Sequence, residues 1–112
     1  MTGYAYCIIM TTTNRQSDAD QLAKLLVSEK LAACVQVLPI TSYYAWEDAL
    51  QHDSELLLLI KTRSELYHQV EAAILKHHSY EVPEIIQLPI SEEHPSYLQW
   101  MVDHTAHGDL SG

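Results

Sequence analysis

The chain has 112 residues, 47% of them hydrophobic and 19% charged, the composition of one globular domain rather than a disordered segment. Six Lys and Arg against 15 Asp and Glu leave a formal net charge of −9. That charge repels a phosphate backbone and an anionic membrane surface, so neither nucleic acid nor membrane is an expected partner. The longest aliphatic run, residues 56–60, falls far short of the roughly 20 residues of a membrane span. No basic region leads into an apolar stretch at the N-terminus, so no signal peptide is expected and the cytoplasm is the expected compartment.

Residues 4–12 (YAYCIIMTT) are rich in aromatic and β-branched side chains and predict a first strand. A polar turn over 14–17 follows, and Ser17 with Asp20 has capping-box spacing. Ala19, Leu22, Ala23 and Leu26 recur at helical spacing, which predicts a helix to about Leu31. Residues 33–46 predict a long second strand with Pro39 inside it, and a proline belongs on an edge strand or a bulge. Residues 47–53 read as a polar connection. The third strand, 55–62, is apolar enough to be covered on both faces and hence central. Thr62 with Glu65 offers a second capping box. Leu66, Val70, Ala73, Ile74 and His77 line one face of a helix that must end before Pro83. Residues 84–90 predict a fourth strand closed by Pro89, and Pro95 suits the first turn of a last short helix carrying Tyr97, Leu98 and Met101.

The order predicts an α+β fold, a ferredoxin-like split βαβ sandwich (βαββαβ plus a short C-terminal helix), with one domain over 1–105 and a flexible tail over 106–112. The first and third strands are expected to run parallel in the centre, with the proline-bearing second and fourth on the edges. Cys7 and Cys34 then sit on strands separated by a third, about 9–10 Å apart. A disulfide needs Cα atoms within about 7 Å, so two buried, reduced thiols are expected. The three glycines are Gly3, Gly108 and Gly112. Nothing between residues 4 and 107 can form a phosphate loop, a dinucleotide fingerprint or a GxSxG elbow, so no organic cofactor is expected.

Seven histidines (52, 68, 77, 78, 94, 104 and 107) include no i, i+4 pair and no HExxH. His77 and His78 are adjacent and point roughly 100° apart on a regular helix. They can share a metal only if the helix ends between them or a second chain supplies ligands. Otherwise His77 closes the apolar stripe and His78 faces water. Glu81 and Glu84 flank the stiff Pro83. They are either an acid–base pair with no identifiable substrate or exposed acids at a strand entrance. Tyr43, Tyr44 and Trp46 form either a stacking surface or a patch buried against another subunit. Lys61 and Arg63 either hold a small anion or open a helix in solvent.

Four blocks, 31–35 (LAACV), 42–47 (SYYAWE), 60–62 (IKT) and 77–85 (HHSYEVPEI), with Tyr97 and Trp100 behind them, resemble the CutA family of divalent-cation tolerance proteins. The resemblance runs from about residue 5 to 103. It implies a homotrimer in which the long second and third strands pair across subunits, covering an edge strand that would otherwise aggregate. It also implies binding of divalent metal ions, copper above all, a role in heavy-metal tolerance, and His77 and His78 as metal ligands. The cysteine that relatives carry near the end of the first strand is absent from Thr11-Thr12-Thr13-Asn14. The expected ion is therefore copper(II) or another divalent metal rather than copper(I), which prefers sulfur. Asn14 and Ser79 replace common prolines. Asp48 replaces a glycine, a position where Asp tolerates the left-handed conformation. The alternative is a PII-like trimeric sensor that binds a small effector in an intersubunit cleft. An acylphosphatase-like enzyme would need an anion-binding loop beside Arg15; the glycine-containing loop is missing, so the chain is read as no enzyme.

Overall fold

Residues 3–106 are described by the computed structural model. Its elements are β1 (Tyr6–Thr13), α1 (Gln16–Ser28), β2 (Cys34–Trp46), β3 (Ala49–Arg63), a 3-10 turn (Ser64–Leu66), α2 (Tyr67–His77), β4 (Ile85–Pro89) and α3 (Pro95–Asp103). They form one sheet in the order β2-β3-β1-β4, the ferredoxin-like arrangement with both proline-bearing strands at the edges.

The expected strand directions need correction: β1 and β3 run antiparallel, as do the other neighbouring pairs. A tight hairpin reverses the chain between β2 and β3. Since β3 opposes both β2 and β1, and β1 opposes both β3 and β4, the parallel pairs are β1 with β2, joined by the α1 crossover, and β3 with β4, joined by the α2 crossover.

One face of the sheet carries the core. Cys7, Ile9, Leu58 and Ile60 are buried there under Ala19, Leu22 and Leu26 of α1 and Val70 and Ile74 of α2. Full burial of each large aliphatic side chain contributes about 1.5–3 kcal/mol, which makes this layer the main source of stability. The opposite face is also apolar and more open, α3 meeting it at the Lys61 end of β3 through Tyr97. Leu57 and Leu59 are only half-buried, and Leu38, Ile86 and Leu88 are exposed. The five-residue aliphatic run of β3 is thus covered on one face by its own chain and left half-open on the other.

β3 begins six residues before the expected start, because the polar stretch 47–53 is a hairpin rather than a connection. Glu47 (φ 50°) and Asp48 (φ 64°) make a two-residue turn with both residues left-handed, the form that matches strand twist. Tyr43 stacks on His52 across it at 5.4 Å between ring centroids. β1 pairs with β3 only up to Leu56, so the seven pairs from Ile40↔Glu55 to Trp46↔Ala49 project as a two-stranded arm. At ~3.4 Å per residue the arm is about 24 Å long, and the chain measures 44 × 25 × 24 Å.

Neither expected capping box forms. α1 starts two residues early, with Arg15 rather than Ser17 at its N-cap, and α2 is entered through the 3-10 turn. The Thr62 hydroxyl instead donates to the Leu31 carbonyl at 2.6 Å, and Glu65 pairs with Arg63 at 3.1 Å. α1 stops at Ser28, short of Leu31. Lys30 turns left-handed (φ 61°), and the amides of Lys30 and Leu31 donate to the carbonyls of Val27 and Leu26. That is a Schellman ending with lysine where glycine is usual. Ala106, at the start of the expected tail, donates its amide to the Lys30 carbonyl. Residues 107–112 of that tail lie outside the described residues.

Candidate functional site

α2 ends between the two adjacent histidines: His77 is its last residue, and His78 is extended at φ −89°, ψ 142°. The helix thus ends where the two could share a metal, and their environments are the reverse of those expected for a continuing helix. His77 is exposed, whereas His78 is half-buried because the connection to β4 folds back onto the end of β1. His78 Nε2 lies 2.6 Å from the Thr12 carbonyl oxygen, and the Tyr80 backbone N–H donates to Nδ1 at 3.0 Å. An N–H can only donate and a carbonyl can only accept. Nδ1 is therefore the bare nitrogen and Nε2 carries the proton, which is one neutral tautomer. The Tyr80 ring packs edge-on against the imidazole at 4.5 Å.

Tyr80 extends the network. Its hydroxyl donates to Glu55 Oε2 at 2.7 Å, and burial, then that bond and the carboxylate charge, push the phenol pKa up. On the arm the Tyr44 hydroxyl donates to the Asp53 carboxylate. The largely exposed Glu84 carboxyl is pushed up, first by partial loss of hydration and then by the negative charge of Glu55. Glu81 is exposed. Glu55, rather than a Glu81–Glu84 pair, is the acid that gathers its neighbours. The sequence carried one weak sign of it, a lone carboxylate at the head of an aliphatic strand. Its partner Tyr80 lies 25 residues away.

Glu55 also lines an open groove of about 440 Å³ at the root of the arm, with Asn14, Pro39, Ile40, Thr41, Ser54 and Leu56. Lys61 and Arg63 do not assemble an anion site. The Lys61 ammonium lies 5.6 Å from the Tyr97 ring centroid, and Arg63 is paired with Glu65. Tyr97 stacks on Trp100 at 5.5 Å.

A divalent ion does not fit this constellation within one subunit. Among the described residues no three His, Cys, Asp or Glu side chains are grouped to hold a metal. The thiols are elsewhere. Cys7 sits five residues along β1 from Thr12, about 17 Å at strand rise, and burial pushes its pKa up against a smaller opposing effect of a Ser64 hydrogen bond. Cys34 lies on β2 opposite Lys61, two strands from Cys7; both are free, and Cys34 is half-buried rather than buried as expected. Among the described residues no helix is long and apolar enough to cross a membrane.

Strand order, helix placement and the long arm define a ferredoxin-like α+β subunit. The family model of the CutA1 divalent ion tolerance protein matches residues 7–104, and the chain belongs to that family. It is 39% identical over 99 residues to the divalent-cation tolerance protein CutA of Thermus thermophilus, covering 88% of this chain and 96% of that one. It is 43% identical over 99 residues to the chloroplastic protein CutA of Arabidopsis thaliana, covering 88% of this chain; it spans 54% of that plant relative's length. Crystalline CutA1 from the psychrotrophic bacterium Shewanella sp. SIB1 superimposes with a TM-score of 0.91 at 34% identity, over 95% of this chain and 100% of that one. The family is described by divalent ion tolerance.

Proposed function

We propose that this chain works as a homotrimer that takes up divalent metal ions, copper(II) ahead of zinc, as its part in metal tolerance. The observation that carries the reading is the projecting arm. Seven β2–β3 pairs stand clear of the rest of the sheet, with Tyr43, Tyr44, Trp46 and Leu50 exposed on them. A long apolar edge of this kind is stable in water only when another chain covers it. The half-open sheet face with Leu38, Ile86 and Leu88 asks for the same cover.

His77 and His78 are the imidazole donors that the resemblance points to. Of the two, His77 presents its ring to solvent, while both His78 nitrogens are engaged. One imidazole cannot close a coordination shell, so the remaining donors come from Glu81 or from a neighbouring subunit. Neutral imidazole binds copper(II) more tightly than zinc, following the usual order for divalent ions. Light scattering tests the assembly: three copies of a 12.7 kDa chain give about 38 kDa, and a monomer at micromolar concentration refutes it. Copper(II) titration of wild type and His77→Ala tests the donor; equal affinity and stoichiometry in an intact trimer remove His77 from the site.

The groove at the root of the arm favours a second reading, a PII-like sensor with a small effector in a cleft between subunits. A thermal-shift screen across metals and nucleotides separates the two, because only a ligand of the folded state raises Tm.

A further inference from the structure

We infer that His78 is a positioning residue that clasps the α2–β4 connection to the end of β1, and that it is not a ligand for divalent ions. The inference stands on hydrogen-bond geometry and does not depend on the metal reading above. The β1–β4 ladder runs from Cys7↔Pro89 to Thr11↔Ile85 and stops there, because β4 begins at Ile85. Thr12 is the next residue of β1, and it is buried. Its carbonyl is left without a strand partner on that side, and a buried carbonyl without a partner costs about 1–3 kcal/mol. The His78 Nε2–H fills the place of the missing strand residue at 2.6 Å. The opposite ring nitrogen then takes the Tyr80 amide at 3.0 Å, so one imidazole satisfies a carbonyl on β1 and an N–H in the connection.

The consequence reaches the groove. With its backbone held by Nδ1, Tyr80 aims its hydroxyl at Glu55 Oε2, on the opposite side of β1 from β4 and at the root of the arm. His78 thus positions Tyr80, and through it the Glu55 carboxylate that lines the groove. The same two bonds bear on coordination. A metal binds imidazole only through an unprotonated nitrogen. In His78 that nitrogen is Nδ1, and its lone pair already accepts the Tyr80 amide. No cysteine or third donor is grouped beside it among the described residues to offset the loss of that bond.

Imidazole nitrogen NMR on the intact assembly, with zinc as a diamagnetic probe, decides the matter. In the metal-free protein His78 should show a protonated Nε2 and a bare Nδ1, and the Tyr80 amide should be protected from hydrogen exchange. His78→Phe should lower that protection by about tenfold or more, whereas His78→Asn, whose side-chain oxygen stands in for Nδ1, should restore part of it. Stoichiometric zinc should leave the His78 resonances and the Tyr80 amide in place. A rapidly exchanging Tyr80 amide in wild type overturns the clasp. So does zinc that shifts His78 Nδ1 and exposes that amide together. If either variant fails to fold, the wild-type tautomer, exchange and zinc readouts still decide. Zinc that binds nowhere refutes the divalent-ion reading while the tautomer and exchange readouts, measured without metal, continue to support the clasp.

Discussion

Replacing Tyr80 by Phe removes one hydroxyl and little else, so it isolates the Tyr80–Glu55 bond. That bond is 2.7 Å long, half-buried, and made to an ionised acceptor. Hydrogen bonds to charged groups contribute about 1.5–3 kcal/mol net. Both partners keep some contact with water, which places Tyr80→Phe at the low end, a loss of about 1.5 kcal/mol. At about 2.1 cal/mol/K per residue, a chain of 112 residues unfolds with an entropy of about 0.24 kcal/mol/K, so Tm should fall by about 6 °C. The phenol pKa is raised in the folded state, so its contribution is present below the ordinary tyrosine range and lost as pH rises through and beyond it. Tyr80→Phe should therefore also flatten the alkaline decline of stability. Calorimetry at fixed chain concentration, run on Tyr80→Phe, Glu55→Gln and the double variant, reads the coupling directly. A coupling energy of about 1 kcal/mol is expected. A Tyr80→Phe protein that melts within about 1 °C of wild type, with no coupling to Glu55, refutes the network.

Glu84→Gln should stabilise the protein near neutral pH by a few tenths of a kcal/mol, a small effect because the side chain is exposed. The Glu84 carboxyl pKa is raised, so its contribution is present below the ordinary carboxylate range and lost as pH rises through the folded value; urea melts at pH 4 and pH 7 should differ less in the variant. Lys30→Gly should raise the denaturant midpoint by up to about 1 kcal/mol of stability, because glycine adopts the left-handed C′ conformation without the side-chain clash. A lower midpoint would show that the lysine makes good its strain elsewhere. Thiol reagent should label Cys34 in the native protein and Cys7 only on unfolding, the reverse order contradicting their burial.

Much of the fold was legible because periodicity and proline report directly on local structure. The alternation of strand and helix, the edge positions of Pro39 and Pro89, and the separation of Cys7 from Cys34 all follow from which residues can share a face or join a ladder. The blocks around 31–35, 42–47, 60–62 and 77–85 likewise carried the family, since they fall at the right spacing inside the matched span 7–104. The arm was hidden by its composition. Residues 51–55 of the arm's second strand are all polar although the strand also carries Leu50, and a polar stretch reads as a loop unless its cross-strand partners are known.

The site was less legible still. That a helix might end between the two histidines was readable, as the condition for their sharing a metal, but which ring went inward was not. His78 meets Thr12 across 66 residues and Tyr80 meets Glu55 across 25, so neither contact leaves a periodic trace. A sequence determines which residues lie side by side on one element, because backbone geometry repeats. Which carbonyl a short β4 leaves unpaired, and which ring comes to fill it, is decided only once all four strands are in register.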